Sequence, residues 1–331
     1  MLILICLFSL FTNLLYSYKT TPFIRTINNI DLNKIEKSDI QELKNFFEVN
    51  PVLVFKNQNL TPQKHYEICK LFDSNYTGKI AHPFNETIVP DCPQLALRGK
   101  GTIKNIWKIK NKKIRNAPNF FYNPLWHQDL VGSNNFNPTI VSSMYMIERP
   151  KKGGETLFAN LETGYINFKK NYNIKKFGNL KCKYSPILSF YAKIDYSGYG
   201  RLDKYWELYE NGDDNFKKSI KDTFIEQPFI IKPCIHSEKK ALMISPNKLY
   251  NFFDNVNNIN YSPSESQELM REILNSCVFL ENNIEKVEYE KNDLVIFNNR
   301  KVIHSSTPTY EIEGNRIMSL LFLDTNETIH V

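Results

Sequence analysis

Trp126-His127-Gln128-Asp129 is the stretch of this 331-residue sequence best suited to chemistry. In an extended backbone side chains alternate, so residues two apart share a face. His127 and Asp129 can then offer an imidazole nitrogen and a carboxylate oxygen to one cation. Two histidines and one carboxylate on one face, with the other coordination positions open, form the donor set of non-haem Fe(II) oxygenases. The third donor has to come from elsewhere. His304 fits best, because it follows the apolar run Leu294 to Phe297 and is itself followed by Arg316. Arg316 has a use of its own. 2-Oxoglutarate binds such an iron through its keto acid end, and its far carboxylate needs a pocket in which a guanidinium fork can grip both oxygens. Singly these features are weak: an H-x-D pair arises by chance, and an arginine leading a strand is more often a structural ion pair. Their ordered combination is what points to a site.

At these residues the sequence resembles the taurine dioxygenase family, which includes the 2,4-dichlorophenoxyacetate oxygenases. Four ordered blocks carry the resemblance, spread over nearly all of the chain after residue 18. Val52-Leu-Val-Phe-Lys-Asn-Gln-Asn-Leu-Thr-Pro-Gln63 is similar to the family's strand, turn and helix. Trp126-His-Gln-Asp129 matches its W-H-x-D block, and Lys152-Gly-Gly-Glu-Thr-Leu-Phe-Ala-Asn160 its block of two glycines, an acid and a threonine. Asp293-Leu-Val-Ile-Phe-Asn-Asn-Arg300, His304 and Asn315-Arg-Ile-Met318 match its closing block.

The resemblance implies a double-stranded β-helix, a jelly-roll form, with the metal at its open mouth. By matching positions it implies His127, Asp129 and His304 as ligands of Fe(II), and Thr156 and Arg316 as the residues holding the far carboxylate of 2-oxoglutarate. Asn123 and His82 match substrate-contacting positions. The implied reaction consumes 2-oxoglutarate and O2, releases succinate and CO2, and hydroxylates a small organic molecule. One departure matters. The members acting on taurine and on chlorophenoxyacetate carry a second arginine four residues after the first, gripping the substrate's anion; here that residue is Leu320. Leucine cannot pair with an anion, and a buried unpaired anion is strongly disfavoured. The expectation is that neither compound is the substrate, and that the pocket is more apolar or binds an anion elsewhere. Two readings from other classes compete: a zinc-dependent hydrolase or isomerase on a related barrel, which leaves Arg316 and Thr156 without a task, and a non-catalytic binding protein on the same fold, which would normally have lost a ligand.

The elements that must position these residues are mostly short strands. Helical spacing of Ile40, Leu43, Phe46 and Phe47 predicts a helix from Lys37 to Glu48. Val52 to Phe55 is a strand, and Thr61-Pro62 caps a helix running to about Phe72. Strands are expected at Ile140 to Ile147, Thr156 to Ala159, Pro228 to Pro233, Ala241 to Ile244, Leu294 to Phe297 and Ile317 to Leu323. Helices are expected at Leu161 to Lys170 and, capped by Ser262, at Pro263 to Cys277. Many short strands with helices before and between them predict a mainly β fold with flanking helices, a β-sandwich or a jelly roll. A polar, aromatic stretch from Tyr196 to Glu226 is expected as a helical insertion that forms part of a lid. Phe121, Tyr122 and Trp126 are expected to pack in the core or along the cavity.

Composition sets the outer bounds. Hydrophobic content of 42% and aromatic content of 13% fit a globular chain with a sizeable core. The net charge of +7 is modest, and the run from Lys108 to Lys113 has the look of a solvated surface; no nucleic-acid module accompanies it. The six cysteines show no C-x-x-C spacing. Residues 1–18 carry no charged side chain and resemble a signal-peptide core more than a membrane span. The expected organisation is therefore a leader over 1–18 directing the chain to the secretory pathway or an organelle, and a single domain over 19–331. Once the leader is removed no stable membrane span is expected, and a homo-oligomer is left open.

Overall fold

A computed structural model describes residues 22–114, 126–133, 135–190, 211–307 and 314–331. Two sheets face each other across the centre. The larger has nine strands, with Ile24–Ile27, Val52–Phe55, Leu294–Asn298, Val141–Glu148, Arg316–Thr325, Cys92–Ile106 and Ile88–Val89 in that spatial order. Opposite it lie three strands, Ile284–Val287, Thr156–Asn160 and Val302–Ser306, with Thr156–Asn160 in the middle. All pairings within these sheets are antiparallel except that of Ile24–Ile27 with Val52–Phe55. This is the mainly β jelly roll that the resemblance implies and that the pattern of short strands allows.

The side-chain period explains why the central strands are apolar throughout. In Val52–Phe55 every residue is buried. Val52 and Val54 pack towards the facing sheet, while Leu53 and Phe55 pack under the helices Lys37–Val49 and Pro62–Lys70. Leu294–Asn298 repeats the arrangement, with Val295 and Phe297 inward and Leu294 and Ile296 outward. A strand covered on both faces needs a continuous hydrophobic run, and each such buried Val, Ile or Phe contributes roughly 1.5–3 kcal/mol. The small sheet is covered by a second helical layer: Leu157, Ala159 and Ile303 face Phe168 and Met270 of the helices Leu161–Asn171 and Pro263–Ile273. Helices thus sandwich two sheets, and the inner faces are left to build the site.

Several elements differ from expectation in extent. Thr61 caps its helix by accepting from the Lys64 N–H, but the helix stops at Lys70. The helix capped by Ser262 and Glu265 is α-helical to Ile273 and continues as a π-helical turn, Leu274–Val278, which keeps Leu274, Cys277 and Val278 buried. The strands after Pro228 shrink to Ile230–Ile231 and Ala241–Leu242; Pro228 and Pro233 have no N–H to extend the ladder. The Lys108–Lys113 run forms the outer strand of a hairpin, Ile109–Ile114, paired with the end of Cys92–Ile106. Of the stretch expected as a lid, residues 196–210 lie outside the described residues. The remainder gives a helix, Asp214–Lys221, and then a strand, Ile225–Pro228, that joins a separate four-stranded sheet. Cys69, Cys92, Cys182, Cys234 and Cys277 are free thiols. Among the described residues no helix is long and apolar enough to cross a membrane.

Candidate active site

The site lies between the sheets, and strand alternation puts it there. On Val302–Ser306, Ile303 points to the outer helices, so Val302 and His304 point inward. On Thr156–Asn160, Leu157 and Ala159 point outward, so Thr156 and Phe158 point inward. From the large sheet Met144, Arg316, Met318 and Leu320 reach the same cavity, of about 380 Å³.

His127 and Asp129 do not lie on a long strand. The chain is extended only briefly there: His127 forms one antiparallel bridge with His304, each donating its backbone N–H to the other's carbonyl at 3.0 Å. Leu130 then takes a positive φ of 61° and the chain turns away. The alternation still holds over those residues. Gln128 points the other way, fully buried, donating to the Asn299 carbonyl at 2.6 Å and accepting from the Ile244 N–H at 2.6 Å. Trp126 packs on Phe279 with ring centroids 4.6 Å apart.

One donor atom from each of His127, Asp129 and His304 lies within 4.8 Å of the others. Asp129 Oδ1 is 3.5 Å from His127 Nε2 and 3.9 Å from His304 Nε2. Its other oxygen, Oδ2, accepts from the Ser142 hydroxyl at 2.7 Å, which leaves Oδ1 turned to the imidazoles. Asn299 clamps the backbone below: its Oδ1 accepts from the Asp129 N–H at 2.7 Å, and its Nδ2 donates to the carbonyls of Asp129 and Thr139. Burial pushes His304 down to about 3, with His127 adding to the fall and Asp129 opposing it. The ring is therefore neutral at neutral pH and keeps a lone pair to donate. Burial also opposes ionisation of Asp129, but the imidazoles and the Ser142 hydroxyl outweigh it and hold the carboxyl below its ordinary value.

These residues fit a divalent cation. His304 is 3% exposed, its Nδ1 has no hydrogen-bond partner among the described residues, and its Nε2 is too far from Asp129 for a hydrogen bond. A buried neutral imidazole whose Nε2 faces a carboxylate beyond hydrogen-bond reach is costly, and a metal ion held between them would take up that nitrogen's lone pair. The donor set, two imidazole nitrogens and one carboxylate, is suited to ferrous iron.

The co-substrate residues named from the sequence share this cavity. Thr156 Oγ1 is 2.8 Å from the Tyr289 hydroxyl, and burial pushes that phenol up to about 12. Arg316 donates from Nε to the Gly154 carbonyl at 2.8 Å, which leaves its terminal nitrogens for a ligand. Gly153 and Gly154 have φ of 77° and 78°, the left-handed conformation that glycine adopts without strain, and this turn presents the carbonyl. Gly99 is required for another reason: a Cβ there would sit 1.7 Å from the Arg316 carbonyl oxygen.

The two substrate positions fare differently. Asn123 lies outside the described residues. His82 does not line the cavity. Its Nε2 donates to the Pro93 carbonyl at 2.9 Å and its Nδ1 accepts from the Phe84 N–H at 3.3 Å, so both ring nitrogens are committed to backbone. His82 instead stacks on Phe84, with centroids 5.8 Å apart and ring planes 7° apart, and it is Phe84 that faces the cavity. Sequence reasoning also passed over Arg98 and Lys248, which line the cavity. Lys248 Nζ donates to the Val131 carbonyl at 2.7 Å, and burial pushes it down to about 8 against the pull of Asp129. Neither sits in a motif that would have marked it.

Comparison with known proteins agrees with this architecture. A family model described as taurine catabolism dioxygenase TauD, TfdA family matches residues 17–321. The alpha-ketoglutarate-dependent xanthine dioxygenase xan1 of Schizosaccharomyces pombe is 25% identical over 169 residues, 42% of this chain and 40% of that protein. The xanthine dioxygenase xanA of Emericella nidulans is 27% identical over 154 residues, 39% of this chain and 41% of that one. The matched region thus spans less than half the length of these curated relatives. Among solved structures, AAD-2 in complex with Mn(II) and N-oxalylglycine superposes with a TM-score of 0.61 at 17% identity, covering 93% of this chain and 96% of that one. A protein described as a putative alpha-ketoglutarate-dependent taurine dioxygenase from Burkholderia xenovorans gives 0.62 at 17% identity, with coverages of 93% and 88%. At these identities the structural likeness establishes the fold.

Proposed function

Since the chain belongs to the taurine catabolism dioxygenase TauD, TfdA family, we propose that it is a non-haem iron dioxygenase that consumes 2-oxoglutarate to oxidise a small organic molecule. The observation that carries this reading is the convergence of His127, Asp129 and His304 in one cavity with Thr156 and Arg316. A zinc hydrolase would leave that guanidinium and hydroxyl without a task.

In this reading His127, Asp129 and His304 hold Fe(II), and Thr156 and Arg316 hold the far carboxylate of 2-oxoglutarate. When bound, the iron with 2-oxoglutarate and O2 supplies the oxidising power, yielding succinate and CO2 as a substrate C–H is oxidised. The protein's share is orientation. Ser142 keeps one carboxylate oxygen of Asp129 occupied so that the other stays available to the metal. The reciprocal backbone bonds between His127 and His304 fix the spacing of the two imidazoles. Arg316, braced by Gly154, presents its terminal nitrogens to a carboxylate. Met144, Met318, Leu320 and Phe322 form an apolar part of the wall that keeps water from the reacting carbon.

The test is a screen for substrate-stimulated succinate release by protein loaded anaerobically with Fe(II) and then given 2-oxoglutarate and air, with His127→Ala as control. The reading predicts 2-oxoglutarate-dependent succinate release that at least one compound stimulates and the control lacks. Neither taurine nor 2,4-dichlorophenoxyacetate is expected to be turned over efficiently, because Leu320 offers no partner at the position where the members acting on them grip the anion. Efficient taurine hydroxylation would refute that part, and succinate release unchanged in His127→Ala would refute the whole.

A further inference from the structure

Arg98 is a cation facing the cavity that has no counter-charge among the described residues. It lies on Cys92–Ile106, directly paired with Met318 on Arg316–Thr325. Paired residues of an antiparallel ladder share a face, and the diagonal neighbours two residues on lie about 7–8 Å away. Arg316 and Leu320 are those diagonal neighbours, and all four side chains line the cavity. Arg316 is braced by the Gly154 carbonyl. Among the described residues no carboxylate, carbonyl or hydroxyl accepts a hydrogen bond from Arg98. What holds it among the described residues is the face of Phe84, 4.1 Å from Cζ to the ring centroid.

That contact fixes the guanidinium without using its donors. Phe84 covers one face, is itself backed by His82 and meets Phe322 edge-on, so the N–H edge remains available for a planar acceptor. Arg98 also borders a second, outer basin lined by Lys112 and Lys113 of the basic hairpin, and Phe84 and Arg98 form the boundary between the two spaces. One acid lies in that basin, Glu86, and it pairs with Lys112 at 3.2 Å. An anion entering by this route meets positive charge outside and a desolvated, uncompensated guanidinium inside. Burial makes that charge costly where it stands, since desolvation pushes the Arg98 pKa down with no compensating group.

Resting on the dioxygenase reading above, we propose that Arg98 receives an anionic group of the primary substrate, a carboxylate or a group of like planar geometry, attached to an apolar body that lies against Met318, Leu320 and Phe322. The anion is then held one strand away from Leu320, which shifts the oxidisable carbon sideways from where an anion held at position 320 would put it. The same arrangement accounts for an apolar residue at 320 in a cavity that still takes a charged ligand.

The experiment is equilibrium titration, under anaerobic conditions, of protein loaded with Fe(II) and 2-oxoglutarate. The probes are benzoate, phenylacetate, 3-phenylpropanoate and 4-phenylbutanoate, each beside its neutral amide. At least one carboxylate is expected to bind about tenfold or more tightly than its amide, a preference of the size a charge-assisted pair gives. Arg98→Gln abolishes that preference, and Arg98→Lys keeps part of it. In the same proteins 2-oxoglutarate affinity, read from its own titration, moves by less than about threefold for Arg98→Gln, because its carboxylate is held elsewhere. The assignment is overturned if no carboxylate outbinds its amide, or if Arg98→Gln leaves the preference intact. It is also overturned if that variant loses 2-oxoglutarate instead, which would make Arg98 a co-substrate residue. Failure of the wild-type protein to bind 2-oxoglutarate shows before any probe is added; it would strike down the dioxygenase reading and this assignment with it.

Discussion

The two ends of the cavity are built in different ways. At the metal corner each donor residue is tied to backbone. His127 and His304 exchange backbone hydrogen bonds, Asp129 is clamped by Asn299 and steered by Ser142, and Gln128 locks the segment between them. At the far wall, Arg98 is held by one aromatic face and is surrounded by side chains that fill space. The first end spends its polar groups on holding three atoms in place. The second leaves a charged group unspent. Geometry that serves one reaction has to be rigid, whereas a wall that selects among ligands needs an unsatisfied group for the ligand to satisfy.

This contrast can be broken or sharpened by substitution. The largest effect is expected at the residue linking the two ends. Arg316→Leu removes a charge-assisted pair and should raise the KM for 2-oxoglutarate roughly 10- to 100-fold, measured by succinate release; an unchanged KM would detach Arg316 from the co-substrate. Asn299→Ala frees the Asp129 backbone without touching a donor atom. It should weaken Fe(II) binding by about tenfold or more, the usual cost of losing a partner that orients a ligand; unchanged affinity would show that the corner does not depend on its clamp.

A titration away from the cavity separates stability from site chemistry. His65 lies on the buried face of the helix Pro62–Lys70, 2.7 Å from the Ser143 hydroxyl, and burial pushes it down to about 3 from an ordinary 6.5. A depressed folded value means the unfolded chain takes up the proton first. The stability that the neutral ring contributes is complete above about pH 6.5 and is lost as the pH falls towards 3. By pH 5 the loss from His65 should be about 2 kcal/mol. His65→Gln should show a smaller drop in urea midpoint between pH 7 and pH 5; an equal drop would remove His65 as the cause. The smallest effect is expected at the far wall: Phe84→Leu removes the ring under Arg98 and should weaken carboxylate probes by about two- to fivefold, with Fe(II) affinity unmoved.

How much of this was legible beforehand follows the same division. The metal corner could be read because its residue types are uncommon in combination and because a period of two turns spacing into a shared face. Thr156 was named through the resemblance in the glycine block and Arg316 through the use a guanidinium has beside such a site, and both line the cavity. Asn299 stood inside a recognised block, yet an asparagine at a strand end says nothing until the backbone it clamps, 170 positions earlier in the chain, is seen beside it. Arg98, in Leu95-Ala-Leu-Arg-Gly-Lys100, looks like a strand entering solvent; that no hydrogen-bond acceptor meets its guanidinium among the described residues is a property of the packed molecule. His82 shows the converse. Its matching position implied a contact with substrate, but a nearby carbonyl and N–H satisfy both nitrogens. The fold class followed from many short apolar runs. The end of the helix at Ile273 did not, because the π-helical turn beyond it buries Leu274, Cys277 and Val278 as a continuing helix would.

The central claim is that His127, Asp129 and His304 bind one divalent ion together. Its most direct test is equilibrium dialysis of the metal-free protein against Mn(II), which takes the same oxygen and nitrogen donors as Fe(II) without oxidising in air, repeated with Asp129→Ala and with Arg98→Gln. One ion per chain is predicted for the wild type and for Arg98→Gln, and none at the same concentration for Asp129→Ala. Equal binding by the wild type and Asp129→Ala would contradict the account.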